Sequence, residues 1–151
     1  MKLDAVEPRY VEFVPKVLEP GVLYVSEKYK TASHLCACGC GEKVVTPLSP
    51  AEWQLRNDGG FVSLHPSIGN WNYACRSHYW IRRNRISWSG GMTQQQIARV
   101  QARDRADKAR YVAALNKEKD EAARTENVKI KTSSSLIQWL WTALQRWWRG
   151  S

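Results

Sequence analysis

Apolar and polar positions along this chain follow two different rhythms. Through residue 91 the apolar residues come in short clusters of β-branched and aromatic side chains: "RYVEFVP", "GVLYVS", "EKVVTPL", "GFVSLHP" and "HYWIRRNRISW". Each cluster is bounded by Pro, Gly or Asn, a pattern that predicts short strands closed by turns. Pro20-Gly21 marks a turn between two of them, and "RNDGGF" and "RRNRIS" read as hairpin turns. In "SPAEWQL", Ser49 stands at an N-cap position with Glu52 three residues on, a capping box that predicts a short helix.

From residue 92 the rhythm changes. Thr93 followed by Gln96 forms another capping box, and the run beyond it is rich in Ala, Gln, Arg, Lys and Glu. Its apolar stripe (Ile97, Val100, Tyr111, Val112 and Leu115) is thin. That predicts a long, mostly solvated helix with one face on the β domain or on a partner. "TENVKIKTSSS" reads as a linker. In "SLIQWLWTALQRWWRG", Ile137, Leu140, Trp141, Leu144 and Trp148 share one helical face, with Gln138, Thr142, Gln145 and Arg149 opposite. The expected class is α+β: a small antiparallel β-rich domain over 1–91, a long polar helix over 92–125, a linker over 126–134 and a Trp-rich amphipathic helix over 135–149. That last helix suits docking on the domain or on a partner, and weak membrane-surface contact is its other use.

Net charge is +9 in 151 residues, which favours an acidic partner: nucleic acid, an anionic membrane surface or an acidic protein. The charge is spread out, however. Residues 1–91 hold 11 Lys/Arg against 8 Asp/Glu, and residues 92–131 hold 10 against 6. With no concentrated basic tail, nucleic acid is not the expected partner. "MKLDAVEPRYVEF" lacks the apolar core of a signal peptide, and no run approaches the roughly 20 apolar residues that span a bilayer. A cytoplasmic location is therefore expected, where thiols stay reduced and four cysteines point to metal rather than disulfides.

"HLCACGCGEK" places Cys36, Cys38 and Cys40 within five residues, and Cys75 follows 35 residues later. Structural zinc takes four ligands in a tetrahedron, commonly paired from two loops. Gly39 and Gly41 permit the positive-φ turns that aim backbone N–H groups at thiolates. Two ligand sets fit. All four cysteines could bind, or Cys75 and His78 could join two or three of the others as a Cys-x-x-His half-site.

His78 has a second possible use. Ser67, in "HPSIGN", lies between the stiff Pro66 and the permissive Gly69, in the sort of tight turn that exposes a side chain. A serine nucleophile needs a base within hydrogen-bond reach and donors for the oxyanion. Asn70 or backbone N–H groups near Gly69 could donate, and His34 and His65 are rival bases. A serine in a Pro-Gly turn more commonly serves the turn itself. The stretch "WNYACRSHYWIRRNRISW" also interleaves Trp71, Tyr73, Tyr79 and Trp80 with Arg76, Arg82, Arg83 and Arg85. That composition suits stacking on nucleic acid, but a strand pair with aromatics inward and arginines outward accounts for it better.

Taken together, "EFVPKVLEPGVLYVS", "HLCACGCGEKVVTPL", "VSLHPSIGNWNYACRSHYWI" and "ISWS" resemble a bacterial family encoded in ubiquitination-like (Bub) operons, beside ubiquitin-like proteins and their activating and conjugating enzymes. The resemblance covers residues 9 to about 90 and matches the serine protease component of those antiphage operons. It implies a Ser-His dyad with Ser67 as nucleophile and His78 as base, Ser63 and His34 next in line, and the tail of a ubiquitin-like protein as substrate. Zn2+ would then be structural, on Cys36, Cys38, Cys40 and Cys75, leaving His78 free. For an orienting carboxylate, Glu42 and Asp58 are the nearby candidates. Two other classes stand beside this serine peptidase: a non-catalytic zinc adaptor that recruits a target or conjugating enzyme, and a nucleic-acid-binding zinc ribbon.

Overall fold

The computed structural model describes residues 1–149, with side chains through residue 130 and at 141. Two units follow one another along the chain, Met1–Lys108 and Ala109–Ser151. In the first, eight strands form two four-stranded sheets. One sheet holds β1 (Glu7–Tyr10), β2 (Val22–Ser26), β3 (Thr31–Leu35) and β4 (Lys43–Pro47) in that order. The other holds β5 (Gln54–Asp58), β6 (Phe61–Gly69), β7 (His78–Arg82) and β8 (Arg85–Trp88). The α+β class is as the periodicity predicts: two largely antiparallel sheets and then a long helix.

Two of the expected turns close hairpins. Gly59 and Gly60 join β5 to β6 with φ of 61° and 90°, and Arg83 and Asn84 join β7 to β8 with φ of 47° and 67°. Paired positive φ values suit the right-handed twist of the flanking strands. Pro20-Gly21 behaves differently. It leads into β2, and β1 pairs with β2 in parallel, Glu7 opposite Val22. The chain over residues 11–21 is long enough to return to the starting end, which a parallel pair requires.

The capping box at Ser49 does not start a helix. Ser49 Oγ does donate to Glu52 Oε2 at 3.2 Å, but the segment is a turn whose ends are tied by the Leu48–Trp53 bridge. β5 begins at the next residue, so tertiary pairing overrides the local helix signal.

Alternation along the strands builds one core from both sheets. Leu23, Val25, Ala32 and Val44 meet Val62, Leu64, Ile68, Tyr79, Ile81 and Ile86. In β7, Tyr79 and Ile81 point inward and are fully buried, which leaves His78, Trp80 and Arg82 on the outer face. Of the aromatics interleaved with arginine, Tyr79 lies in the core. Trp80 is half-buried between His65, at 5.9 Å, and Arg82, at 4.5 Å.

His34 is a core residue. It is 1% exposed, and its Nε2 shares a 2.8 Å hydrogen bond with the Tyr79 hydroxyl, joining the two sheets. Burial holds its pKa down to about 4, from an ordinary 6.5. The unfolded chain therefore takes up a proton below pH 6.5 that the folded chain refuses until about pH 4. This contribution is complete above pH 6.5 and is lost as pH falls toward 4. A shift of that size is worth up to about 3 kcal/mol. Denaturant midpoints of wild type should decline between pH 6.5 and 4 more steeply than those of His34→Gln.

The helix α1 spans Gln94–Arg149. The Thr93–Gln96 box caps it reciprocally: Gln96 N–H donates to Thr93 Oγ1 at 3.3 Å and Thr93 N–H to Gln96 Oε1 at 2.8 Å. Within the first unit its opening turns lie on the β domain, with Ile97 buried and Lys108 paired to Glu52 at 2.7 Å. The described side chains of the second unit are mostly exposed.

Helical backbone continues through residues 126–134, where the sequence predicts a linker. That stretch contains neither Gly nor Pro, so nothing local stops propagation. The faces of the expected amphipathic helix over 135–149 fall outside the described side chains, except for the exposed Trp141. No helix among the described residues is long and apolar enough to cross a membrane.

Candidate active site and metal centre

The four cysteines converge. Their sulfurs all lie within 4.8 Å of one another, with Cys36 to Cys38 at 3.4 Å and Cys36 to Cys75 at 3.9 Å. Three come from the loop between β3 and β4, where Gly39 and Gly41 have φ of 82° and 86°. The fourth precedes β7. Thiolates about 2.3 Å from a tetrahedral ion sit roughly 3.8 Å apart, so the spacing fits a four-sulfur metal site with little rearrangement.

The surroundings fit as well. Asn70 Nδ2 donates to Cys36 Sγ at 3.4 Å, and Ser77 Oγ lies 3.0 Å from the same sulfur. At Cys75, burial works to raise the thiol pKa, but hydrogen bonds with the side chain and backbone of Ser77, then with Cys38 and Cys40, bring it down to about 7. Cys38 is pushed up to about 12, first by burial and then by its hydrogen bonds with Cys40 and Cys36. One sulfur is thus ready to ionise beside others that resist it. A cation in their midst would reverse that resistance and expel the remaining protons.

His78 is not part of this cluster. Its Nε2 instead lies 2.9 Å from Ser67 Oγ. The strand geometry explains how. Gly69 and Ile68 of β6 oppose His78 and Tyr79 of β7, but the pairing slips between Leu64 and Ile68. Pro66 falls in that slip and has no N–H to offer a ladder, so a central strand tolerates it only at such an irregularity. Leu64 and Ile68 are both buried, so alternation places Ser67 on the same outer face as His78, and it meets the imidazole diagonally across the strand pair.

Trp71 holds the ring from the side. Its indole packs edge-on against His78 with centroids 4.9 Å apart. It also lies so close over Gly69 that a Cβ there would come within 2.4 Å of the indole. Gly69→Ala must therefore displace Trp71 and loosen His78. Misplacement of a catalytic group by about an ångström costs up to about a hundredfold, so for a peptidase that uses His78 as its base, turnover should fall tenfold or more with metal content unchanged.

The other candidates go elsewhere. Asn70 was the expected oxyanion donor, yet its side chain is 8% exposed and its amide donates to Ser77 Oγ at 2.9 Å and to Cys36. Ser63 Oγ accepts from Arg83 N–H at 3.0 Å and serves the β7–β8 turn. His34 is committed to Tyr79. His65 stacks on Trp80. His78 Nδ1 is buried without a hydrogen-bond partner among the described residues, so neither Glu42 nor Asp58 orients the ring.

Sequence reasoning missed Ser77. It is 7% exposed and bridges Cys36, Asn70 and Cys75 through one hydroxyl, and Asn70 N–H also donates to its carbonyl at 2.9 Å. Its place two residues after Cys75 and one before His78 was the only signal available. Through it, the cysteine cluster and the Ser67–His78 pair share one strand end.

A family model described as bacterial ubiquitination-like system serine protease (BubE) matches residues 10–89. That span contains all four cysteines, Ser67 and His78. No curated protein and no solved structure matches the chain. On a match of more than half its length, the chain belongs to the BubE family of serine proteases of bacterial ubiquitination-like systems.

Proposed function

We propose that this protein is a serine peptidase with a Ser67–His78 dyad that cuts at the C-terminal tail of a ubiquitin-like protein of its own system, to mature it or to release it from a target. The single observation that carries the reading is the 2.9 Å bond between His78 Nε2 and Ser67 Oγ, in a chain that belongs to a serine protease family. A recruiting module would have no use for such a pair on an outer sheet face.

In this reading His78, protonated on Nδ1, accepts the Ser67 proton at Nε2 as Oγ attacks the scissile carbonyl. The imidazolium then protonates the leaving amine. Water, deprotonated by the same nitrogen, releases the acyl group and restores Ser67. With Asn70 committed to Ser77 and Cys36, the oxyanion donor is the Gly69 N–H. Antiparallel alternation supports this choice. Asn70 N–H bonds Ser77 toward β7, so the N–H of the residue before it points away. Trp71 stands in for the missing carboxylate by fixing the ring sterically.

The metal is Zn2+, held by Cys36, Cys38, Cys40 and Cys75. Its contribution when bound is structural, tying the β3–β4 loop to the start of β7. Ser77 and Asn70 satisfy the Cys36 thiolate, and His78 follows three residues after Cys75 in a position the site determines.

The test is incubation of the purified protein with that ubiquitin-like protein carrying a short C-terminal extension, followed by mass spectrometry. Loss of the extension at one bond is the expected result. An intact substrate after prolonged incubation with zinc-loaded protein would overturn the peptidase reading.

A further inference from the structure

A cleft of about 190 Å³ opens between the two sheets, lined by Val44, Val45 and Thr46 of β4, by Trp53, and by Ile68 through Tyr73. Two strand edges meet in it. β4 is the last strand of its sheet. The partner of β6 on that side is β5, but their pairing ends with Gln54 opposite His65. Among the described residues, the end of β6 from Pro66 onward therefore has no strand partner on its β5 side.

Hydrogen-bond alternation says which groups face the cleft. Cys36 N–H bonds Glu42 C=O, and Leu48 N–H bonds Lys30 C=O. These two flank the β3–β4 ladder and set its phase, so Val44 and Thr46 turn their peptide groups toward β3. Val45, opposite Ser33, turns both its N–H and its C=O outward. Its outward-facing neighbours are already used: Lys43 C=O accepts from the Tyr73 hydroxyl at 2.7 Å, and Pro47 C=O from Trp53 N–H at 3.2 Å. One two-point docking position remains on this edge, at Val45, between two aromatic stops. Across the cleft Gly69, opposite His78, likewise turns its peptide groups away from β7.

Resting on the peptidase reading, we propose that this cleft takes the extended tail of the substrate as an added strand, bonded through its main chain to the N–H and C=O of Val45. Continuity with the dyad argues for this occupant. Gly69 lines the cleft and opposes His78, and Trp71 lines it and touches His78. Edge addition derives its affinity from backbone bonds and leaves selectivity to side-chain room. Trp53, Trp71 and Tyr73 crowd the walls, so the tail residues within the cleft carry small side chains. A folded loop cannot present the needed backbone edge, whereas a flexible terminus can.

The experiment separates docking from chemistry. Binding of the intact ubiquitin-like protein to Ser67→Ala enzyme is measured by calorimetry, with and without the last six tail residues of the ligand. The same measurement follows on Ser67→Ala with Val45→Pro, which deletes the outward N–H without touching the ladder to β3. Roughly tenfold weaker binding on either change is expected, in line with one lost backbone bond and a stranded acceptor. As a check that spares the enzyme, single N-methyl groups are placed along the tail by ligation, and at least one position should weaken binding comparably. Affinity unchanged by tail removal, by Val45→Pro and by every N-methyl group would overturn the proposal. Hydrolysis of p-nitrophenyl acetate by wild type, lost in Ser67→Ala, is read separately and reports on the dyad alone.

Discussion

Ser67→Ala should lower cleavage of the ubiquitin-like substrate by about a thousandfold or more, and His78→Ala should do nearly the same. Both proteins should keep a full complement of zinc. The size follows from chemistry. Without Oγ there is no acyl-enzyme, and without Nε2 the hydroxyl keeps its proton and attacks poorly. For a dyad joined by this 2.9 Å bond, the double variant should be scarcely worse than either single one. Zinc retention is the discriminating readout. His78 lies outside the four-sulfur cluster, so its loss leaves every ligand in place. A His78→Ala protein that sheds its metal would make His78 a ligand and return the Cys-x-x-His reading. Single-turnover kinetics on Ser67→Ala would expose any water-only route, which should be as slow as the double variant.

Stripping the metal should unfold the β domain. Apparent binding energies of structural zinc on thiolates run to about 10 kcal/mol or more near neutral pH, which rivals the roughly 5–15 kcal/mol by which whole domains are stable. A strong chelator should therefore abolish the cooperative thermal transition and the peptidase activity together, and zinc added back should restore both. The cysteines should not be equivalent. Cys36 is 1% exposed and bonded to Ser77 and Asn70, so Cys36→Ser leaves a buried, mismatched polar cluster as well as a broken ligand set. Cys40 is exposed at the rim, where water or the chloride of a buffer can fill the place of a lost sulfur. Cys40→Ser should bind zinc more weakly yet still fold at millimolar zinc. A chelated protein that keeps its transition and its activity would remove the metal from any structural role.

Much of the fold was legible locally. The hairpins at Gly59-Gly60 and Arg83-Asn84, the Thr93–Gln96 cap and the β-to-helix change near residue 92 depend on neighbours within four residues, and the structure has them where local chemistry put them. Similar local logic failed at Ser49. There the box formed its hydrogen bond, but the Leu48–Trp53 bridge had already drawn the chain into a turn. It failed again over residues 126–134, where polar residues without Gly or Pro were taken for a linker and the helix runs on.

The candidate site divides in the same way. Four cysteines in a chain expected to keep its thiols reduced were sufficient to propose a metal, because thiolate spacing is a chemical signal in itself. The choice between His78 as ligand and His78 as base was not in the spacing, since Cys75 and Ser67 were both within reach on paper. Strand register sets the distances, leaving His78 outside the cysteine cluster and 2.9 Å from Ser67. Alternation turns Ser67 and His78 to the same outer face, where they meet diagonally across the β6–β7 pair, and turns Ser77 inward to the sulfurs. The same alternation committed Asn70 to the cysteine cluster and left Val45 facing the cleft. Residue types and short-range turns are properties of the chain, and by themselves they determined the elements and the chemical inventory. Which face each side chain occupies depends on a two-residue period whose phase one slipped residue inverts, so the partners of His78, Asn70 and Ser77 were decided only when the sheets paired.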